Sequence, residues 1–97
     1  MTKHKVPAGL SPEAAALWTR TLQEYAFDAG ADLTLLRELC STLDRLRQVQ
    51  EGIRATGLTV TGSQGQVRAN PLLTLEDQLR RTLLAHVRAL RLTNAEF

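Results

Sequence analysis

A chain of 97 residues and 10.7 kDa makes one domain with short tails, and at this size folding buries only about 60–68% of the unfolded surface. Eighteen leucines and twelve alanines, against five valines, one isoleucine and 4% aromatics, favour helix over sheet. The net charge is +2 and the pI about 9.2, carried by ten arginines and only two lysines; no apolar run approaches the roughly 18 residues of a membrane span.

The opening residues, Met1-Thr-Lys-His-Lys-Val-Pro, hold no apolar stretch of the kind a secretory signal requires, so a cytoplasmic location is expected. Residues 1–9, with Lys3, His4 and Lys5, read as a mobile basic arm. A first helix is announced by Ser11 as N-cap, Pro12 at the first helical position and Glu13 in the first turn. Ala15, Trp18, Leu22 and Tyr25 then recur at helical spacing, and Asp28-Ala-Gly30 ends the segment.

A second helix is expected from Ala31 or Asp32 to about Thr56, closed by Gly57. Its apolar positions Leu36, Leu39, Leu43, Leu46 and Ile53 form a heptad seam, with Gln50 in the gap. About 38 Å of helix is more than one short helix can cover, so a second long helix or another subunit must pack on it. Residues 58–69 change period and read as a hairpin around Gly62-Ser-Gln-Gly65. Pairing across a four-residue loop places Val60 opposite Val67 and Leu58 opposite Ala69 on one apolar face, with Arg68 beside Thr59 and Thr61 on the other. Asn70-Pro71 restarts the helix, and Leu72, Leu75, Leu79, Leu83, His86 and Leu90 give a further seam. Residues 93–97 are a short tail.

The chemistry expected of an enzyme is missing from this pattern. Cys40, the lone cysteine, excludes an internal disulfide and falls within the apolar stripe, where free cysteines are commonly buried as small hydrophobes. His86 has no Asp, Glu or Cys three or four residues away to share a metal, and reads as a core or interface histidine. Gly62-Ser-Gln-Gly65 lacks the Gly-Lys-Ser/Thr of a phosphate loop. No catalytic residue, metal ligand or cofactor is therefore assigned.

The arginines are more informative. Arg80, Arg81, Arg88 and Arg91 fall within about a 100° sector of the last helix, and such a stripe suits phosphate contacts. A solvated face, or arginines paired with acids of a neighbouring subunit, is the alternative. Asp44, Arg47, Glu51 and Arg54 are spaced to pair along the second helix, which leaves Arg37 and Arg45 free. Leu73 and Leu84 project toward the arginine sector, away from the main seam, and suggest assembly through helices.

Leu10-Ser-Pro-Glu-Ala14 with Leu17-Trp18, followed by Gly57-Leu-Thr-Val-Thr61, Gly65, Arg68 and Asn70-Pro71, resembles the small terminase subunit of tailed bacteriophages. The resemblance covers residues 7 to about 92 and is to the branch with a short helical core, a β-hairpin and no separate helix-turn-helix domain. It implies a non-enzymatic DNA-packaging protein that forms a closed ring, recognises the packaging site on double-stranded DNA and regulates the large subunit, which carries the ATPase and nuclease. The family offers no compact motif for its DNA contacts. On physical grounds Lys3, Lys5, Arg68, Arg80, Arg81, Arg88 and Arg91 are nominated for DNA, with Arg37 and Arg45 in reserve, and Leu36, Leu43, Leu73 and Leu84 for the subunit interface. The expected architecture is mainly α: a short N-terminal helix and two long antiparallel helices joined by a β-hairpin, within a core domain at residues 10–92, assembled as a ring oligomer. The expected partners are double-stranded DNA, the large terminase subunit and further copies of the chain, with no membrane and no small-molecule substrate. The rivals are a dimeric transcription regulator and a helical protein–protein adaptor.

Overall fold

The computed structural model describes residues 4–27 and 30–92. Ser11 caps α1 (Pro12–Glu24) as its spacing requires, its hydroxyl accepting from the Ala14 N–H at 3.1 Å. The helix stops three residues short of Phe27. Tyr25 is already extended, although its N–H still donates to the Thr21 carbonyl, and its ring stacks on that of Phe27 at 6.4 Å. Asp28, expected at the helix end, lies outside the described residues.

The long helix α2 (Gly30–Thr56) is 27 residues, about 40 Å at 1.5 Å per residue. Gly57 ends it at φ +88°, with its N–H on the Ile53 carbonyl at 2.6 Å, an αL cap that an L side chain would strain. A two-stranded antiparallel hairpin follows, β1 (Thr59–Thr61) and β2 (Val67–Ala69), and α3 (Leu72–Ala89) returns along α2. The return is antiparallel: Leu72 at the start of α3 meets Gly52 near the end of α2, where a Cβ would stand 3.0 Å from Leu72 Cδ1.

The hairpin register differs from expectation by one residue. Thr59 pairs with Ala69, Val60 with Arg68 and Thr61 with Val67. The reason is the loop: Gly62 N–H bonds the Gln66 carbonyl (2.7 Å) and Gly65 N–H bonds the Gly62 carbonyl (3.0 Å), with Gly65 at φ +81°. That is a three-residue loop with glycine in the αL position, not a four-residue one. A one-residue slip exchanges the faces of one strand relative to the other. Arg68 therefore shares a face with Val60 and not with Thr59 and Thr61, and the continuous apolar face of Leu58, Val60, Val67 and Ala69 does not exist.

The core occupies one end of the molecule. Ala14, Leu17 and Trp18 of α1 and Leu83, Leu90 and Leu92 of the closing segment enclose Leu36, Leu39, Cys40, Leu43 and Leu46 of α2. The seam of α2 from Leu36 to Leu46 is thus satisfied within one chain. Leu36 and Leu43, nominated for a subunit interface, are 0% and 1% exposed and have no surface left for a neighbour. Leu75, expected on the buried seam of α3, is exposed, because near the hairpin α2 and α3 pack as a pair without α1 behind them. The result is a rod of 60 × 23 × 20 Å with a radius of gyration of 16.5 Å, against about 13 Å for a compact domain of similar length. Among the described residues no helix is long and apolar enough to cross a membrane.

Candidate nucleic-acid interface

The nominated basic residues are distributed along the rod. Lys3 lies outside the described residues. Lys5 is exposed on the irregular segment leading into α1. That segment is anchored at mid-α2, where the Ser11 N–H and hydroxyl donate to the Asp44 carboxylate and Arg47 Nε reaches Glu13 Oε1 at 3.0 Å. Asp44 and Arg47 were expected to pair along α2. They hold α1 instead, because α1 brings Ser11 and Glu13 to them across the helix interface. Of these four, Glu51 and Arg54 alone form an ion pair along the helix among the described residues, at 2.6 Å, while Arg47 also donates to Gln50 Oε1 at 2.9 Å.

On α3, Arg80 and Arg81 each meet an acid one turn upstream, Glu76 at 3.4 Å and Asp77 at 2.9 Å. Exposed pairs of this kind contribute a few tenths of a kcal/mol and are released readily to a competing anion. Arg88 and Arg91 are exposed and have no ion pair among the described residues. The C-terminal helix dipole favours positive charge at this end. Arg37 and Arg45 are likewise exposed on α2 without an ion pair among the described residues.

Arg91 is not part of the helical stripe. α3 ends at Ala89, and Arg91 sits at φ +57° in the αL position of a Schellman turn. Its N–H donates to the Arg88 carbonyl at 3.1 Å, while the Leu92 N–H reaches back to Val87 at 3.1 Å. That turn folds Leu92 into the core. Glycine is the usual occupant of such a position, and an L-residue there costs about 1–2 kcal/mol. The sequence offered one signal for this: the α3 seam runs out at Leu90 with no glycine after it.

The largest unforeseen feature is at the other end. Asn70, expected only as a helix cap, is 3% exposed and ties three segments together. Its Nδ2 donates to Thr56 Oγ1 and to the Gly57 carbonyl, both at 2.8 Å, and its Oδ1 accepts from the Leu72 N–H at 3.0 Å. Its backbone N–H donates to the Leu58 carbonyl at 2.8 Å. One side chain thus clamps the end of α2 to the start of α3, and its backbone secures the base of the hairpin. Arg68 projects from β2 beyond this clamp, exposed and without an ion pair among the described residues.

Leu84 is 51% exposed and Leu73 half-buried, so the second apolar stripe of α3 retains surface that the protomer does not use. Burial pushes the Cys40 thiol up to about 12, with the Asp44 carboxylate adding to the effect; the group is an inert core residue, as its place in the apolar stripe implied. Trp18 Nε1 and His86 Nδ1 are buried without hydrogen-bond partners among the described residues. No group of three His, Cys, Asp or Glu among the described residues is placed to hold a metal ion.

With this geometry in hand, comparison with known proteins is specific on one point. The family model for phage terminase, small subunit, matches residues 14–96, from the first turn of α1 past the end of α3. No curated protein and no solved structure gives a significant match.

Proposed function

Because the chain belongs to the small-subunit family of phage terminases, and so has its place in phage DNA packaging, we propose that it is the non-catalytic subunit that recognises the viral packaging site on double-stranded DNA. In this reading copies of the chain assemble into a closed ring in the host cytoplasm, and the ring recruits and regulates the large terminase, which supplies ATPase and nuclease. The observation that carries the DNA-binding half is the exposed pair Arg88 and Arg91 at the end of α3, with no acid paired to either among the described residues. Arg80 and Arg81 extend the basic face about two turns back from Arg88, held by i,i+4 pairs to Glu76 and Asp77. Lys3 and Lys5 of the N-terminal arm supply further phosphate contacts. A charge of +2 per chain is small, but it multiplies around a ring, and polyvalent phosphate binding is steeply salt dependent.

Assembly is supported by shape. A 60 Å rod with a core at one end and exposed Leu84 and partly exposed Leu73 on one helix has apolar surface left for neighbours. Packing through those two residues, and not through Leu36 and Leu43, is what the burial pattern supports.

The test is native mass at low and high salt without DNA, followed by affinity for a 30-base-pair duplex across a salt series. The reading expects one salt-resistant, high-order assembly and a log–log slope of about −0.9 per phosphate contact. The combined Arg88→Ala and Arg91→Ala change should weaken binding and flatten that slope. A monomer or dimer would move the assignment to a dimeric regulator, and a salt-resistant ring without DNA affinity would move it to a protein–protein adaptor.

A further inference from the structure

The hairpin is the part of the protein least covered by the rest of the chain. Every residue of its two strands is exposed except half-buried Val60, with Val67 at 71%. A bare two-stranded ribbon is marginal in water, yet this one is braced at both ends. At the base the Asn70 N–H bonds the Leu58 carbonyl, and the Asn70 side chain locks the flanking helices. At the tip the Gln66 side chain folds over Gly62, and its Oε1 accepts from the Gln64 N–H at 3.1 Å. The ribbon is therefore organised without a partner and offers both faces to one.

Its chemistry points to what that partner is. Residues 52–75 contain no Asp or Glu, and the two arginines there are divided: Arg54 is held by Glu51, while Arg68 has no ion pair among the described residues. The ribbon also presents Thr59 and Thr61 on the face opposite Arg68, and Ser63 and Gln64 at its tip, all exposed. Arginine suits the O6 and N7 atoms of guanine, glutamine suits adenine, and threonine or serine accepts either. Val67 offers an apolar contact of the kind a thymine methyl takes. The dimensions agree as well. Three paired residues per strand reach about 10 Å, against a major groove about 8.5 Å deep and 12 Å wide that admits a two-stranded ribbon.

Resting on the DNA-recognition reading above, we propose that the hairpin is the base-reading element: it enters the major groove of duplex DNA and places Arg68 and Gln64 on base edges. Arg88 and Arg91 then position the protein on phosphates without carrying sequence information. The one-residue register decides the geometry, since it puts Arg68 opposite Val60 on one face and Thr59, Thr61 and Val67 together on the other.

The experiment uses the full chain and two probes: a 30-base-pair duplex enriched from a random pool by the wild-type protein, and the unselected pool. Arg68→Ala, Arg68→Lys and Gln64→Ala are compared with wild type for affinity to each probe and for native mass. Lysine keeps the charge but loses the planar fork that grips guanine. The expected result is a preference for the enriched duplex reduced about tenfold or more in both Arg68 variants, with unchanged native mass. Methylation of guanine N7 in the enriched duplex should also abolish the wild-type preference. The proposal is overturned if Arg68→Lys keeps the full preference, which would make Arg68 a phosphate contact. It is equally overturned if the variants alter native mass, which would make the ribbon a contact between copies of the chain. A wild type that binds neither probe would remove the DNA reading as a whole, whereas binding with preference intact in every variant removes only the hairpin's part.

Discussion

Replacing Asn70 by aspartate separates two roles that an N-cap ordinarily does not distinguish. As a cap alone, aspartate is about as good as asparagine, and its charge at the start of α3 would add about 0.3–1 kcal/mol. The clamp predicts the opposite sign. Aspartate keeps the oxygen that accepts from the Leu72 N–H but has no donor for Thr56 Oγ1 or the Gly57 carbonyl. Thr56 cannot simply turn to donate, because its hydroxyl is committed to the Gly52 carbonyl at 2.7 Å. Two hydrogen bonds at a net ~0.5–1.5 kcal/mol each, plus an oxygen facing a carbonyl at a buried site, put Asn70→Asp about 2 kcal/mol below wild type. Asn70→Ala loses all three bonds and falls about 2–3 kcal/mol, with the exposed Gly57 carbonyl rehydrated. For a domain of this size 2 kcal/mol corresponds to about 8–16 °C in Tm. Urea unfolding followed by Trp18 fluorescence and far-UV circular dichroism, at one fixed protomer concentration, measures both variants. Asn70→Asp within about 0.5 kcal/mol of wild type at unchanged m-value would show that the clamp contributes nothing and that Asn70 is an ordinary cap.

Cys40 should resist thiol reagents at pH 8 in the native protein and react fully in urea, because its thiol is held up at about 12 by burial. The folded state keeps a proton that the unfolded state releases above about pH 9, so this contribution is fully present below that pH and declines as pH rises, by up to about 1.4 kcal/mol per unit; denaturant titrations between pH 8 and 10.5 report it, and a flat profile would contradict the burial. Arg91→Gly should raise stability by about 0.5–1 kcal/mol by relieving the αL strain while weakening duplex binding and lowering the salt slope by about one phosphate contact; thermal melts and a salt series show whether the two effects move in opposite directions. Leu36→Ala should cost the protomer about 2–5 kcal/mol through a core cavity, whereas Leu84→Glu should leave helicity intact and reduce native mass, a contrast read by circular dichroism and native mass spectrometry.

What was legible in the sequence is what depends on neighbours within a turn or two. Ser11 begins α1 and Gly57 ends α2 because capping is settled by residues three or four positions apart. The leucine period announced α2 and α3 because one buried face of a helix imposes it, and Cys40 could be placed in the core from the same stripe. The register of the hairpin was not legible. Gly62-Ser-Gln-Gly65 is compatible with loops of three or four residues, and only the bonds Gly62 and Gly65 make choose between them, which moves Arg68 to the other face.

Interactions between segments distant in sequence were decided by packing alone. Asp44 and Arg47 had plausible partners along α2, but α1 presented Ser11 and Glu13 in better position. Leu36 and Leu43 carried the right pattern for either a core or a subunit interface, and the arrival of α1 on one side and α3 on the other assigned them to the core. Asn70 showed only its local half, the cap on Leu72, since its bonds to Thr56 and Gly57 exist only once α3 has folded back against α2. By itself the sequence determined helix, cap, period and family. The tertiary structure decided which side of each helix is spent within the chain, and so which leucines and arginines remain for other molecules.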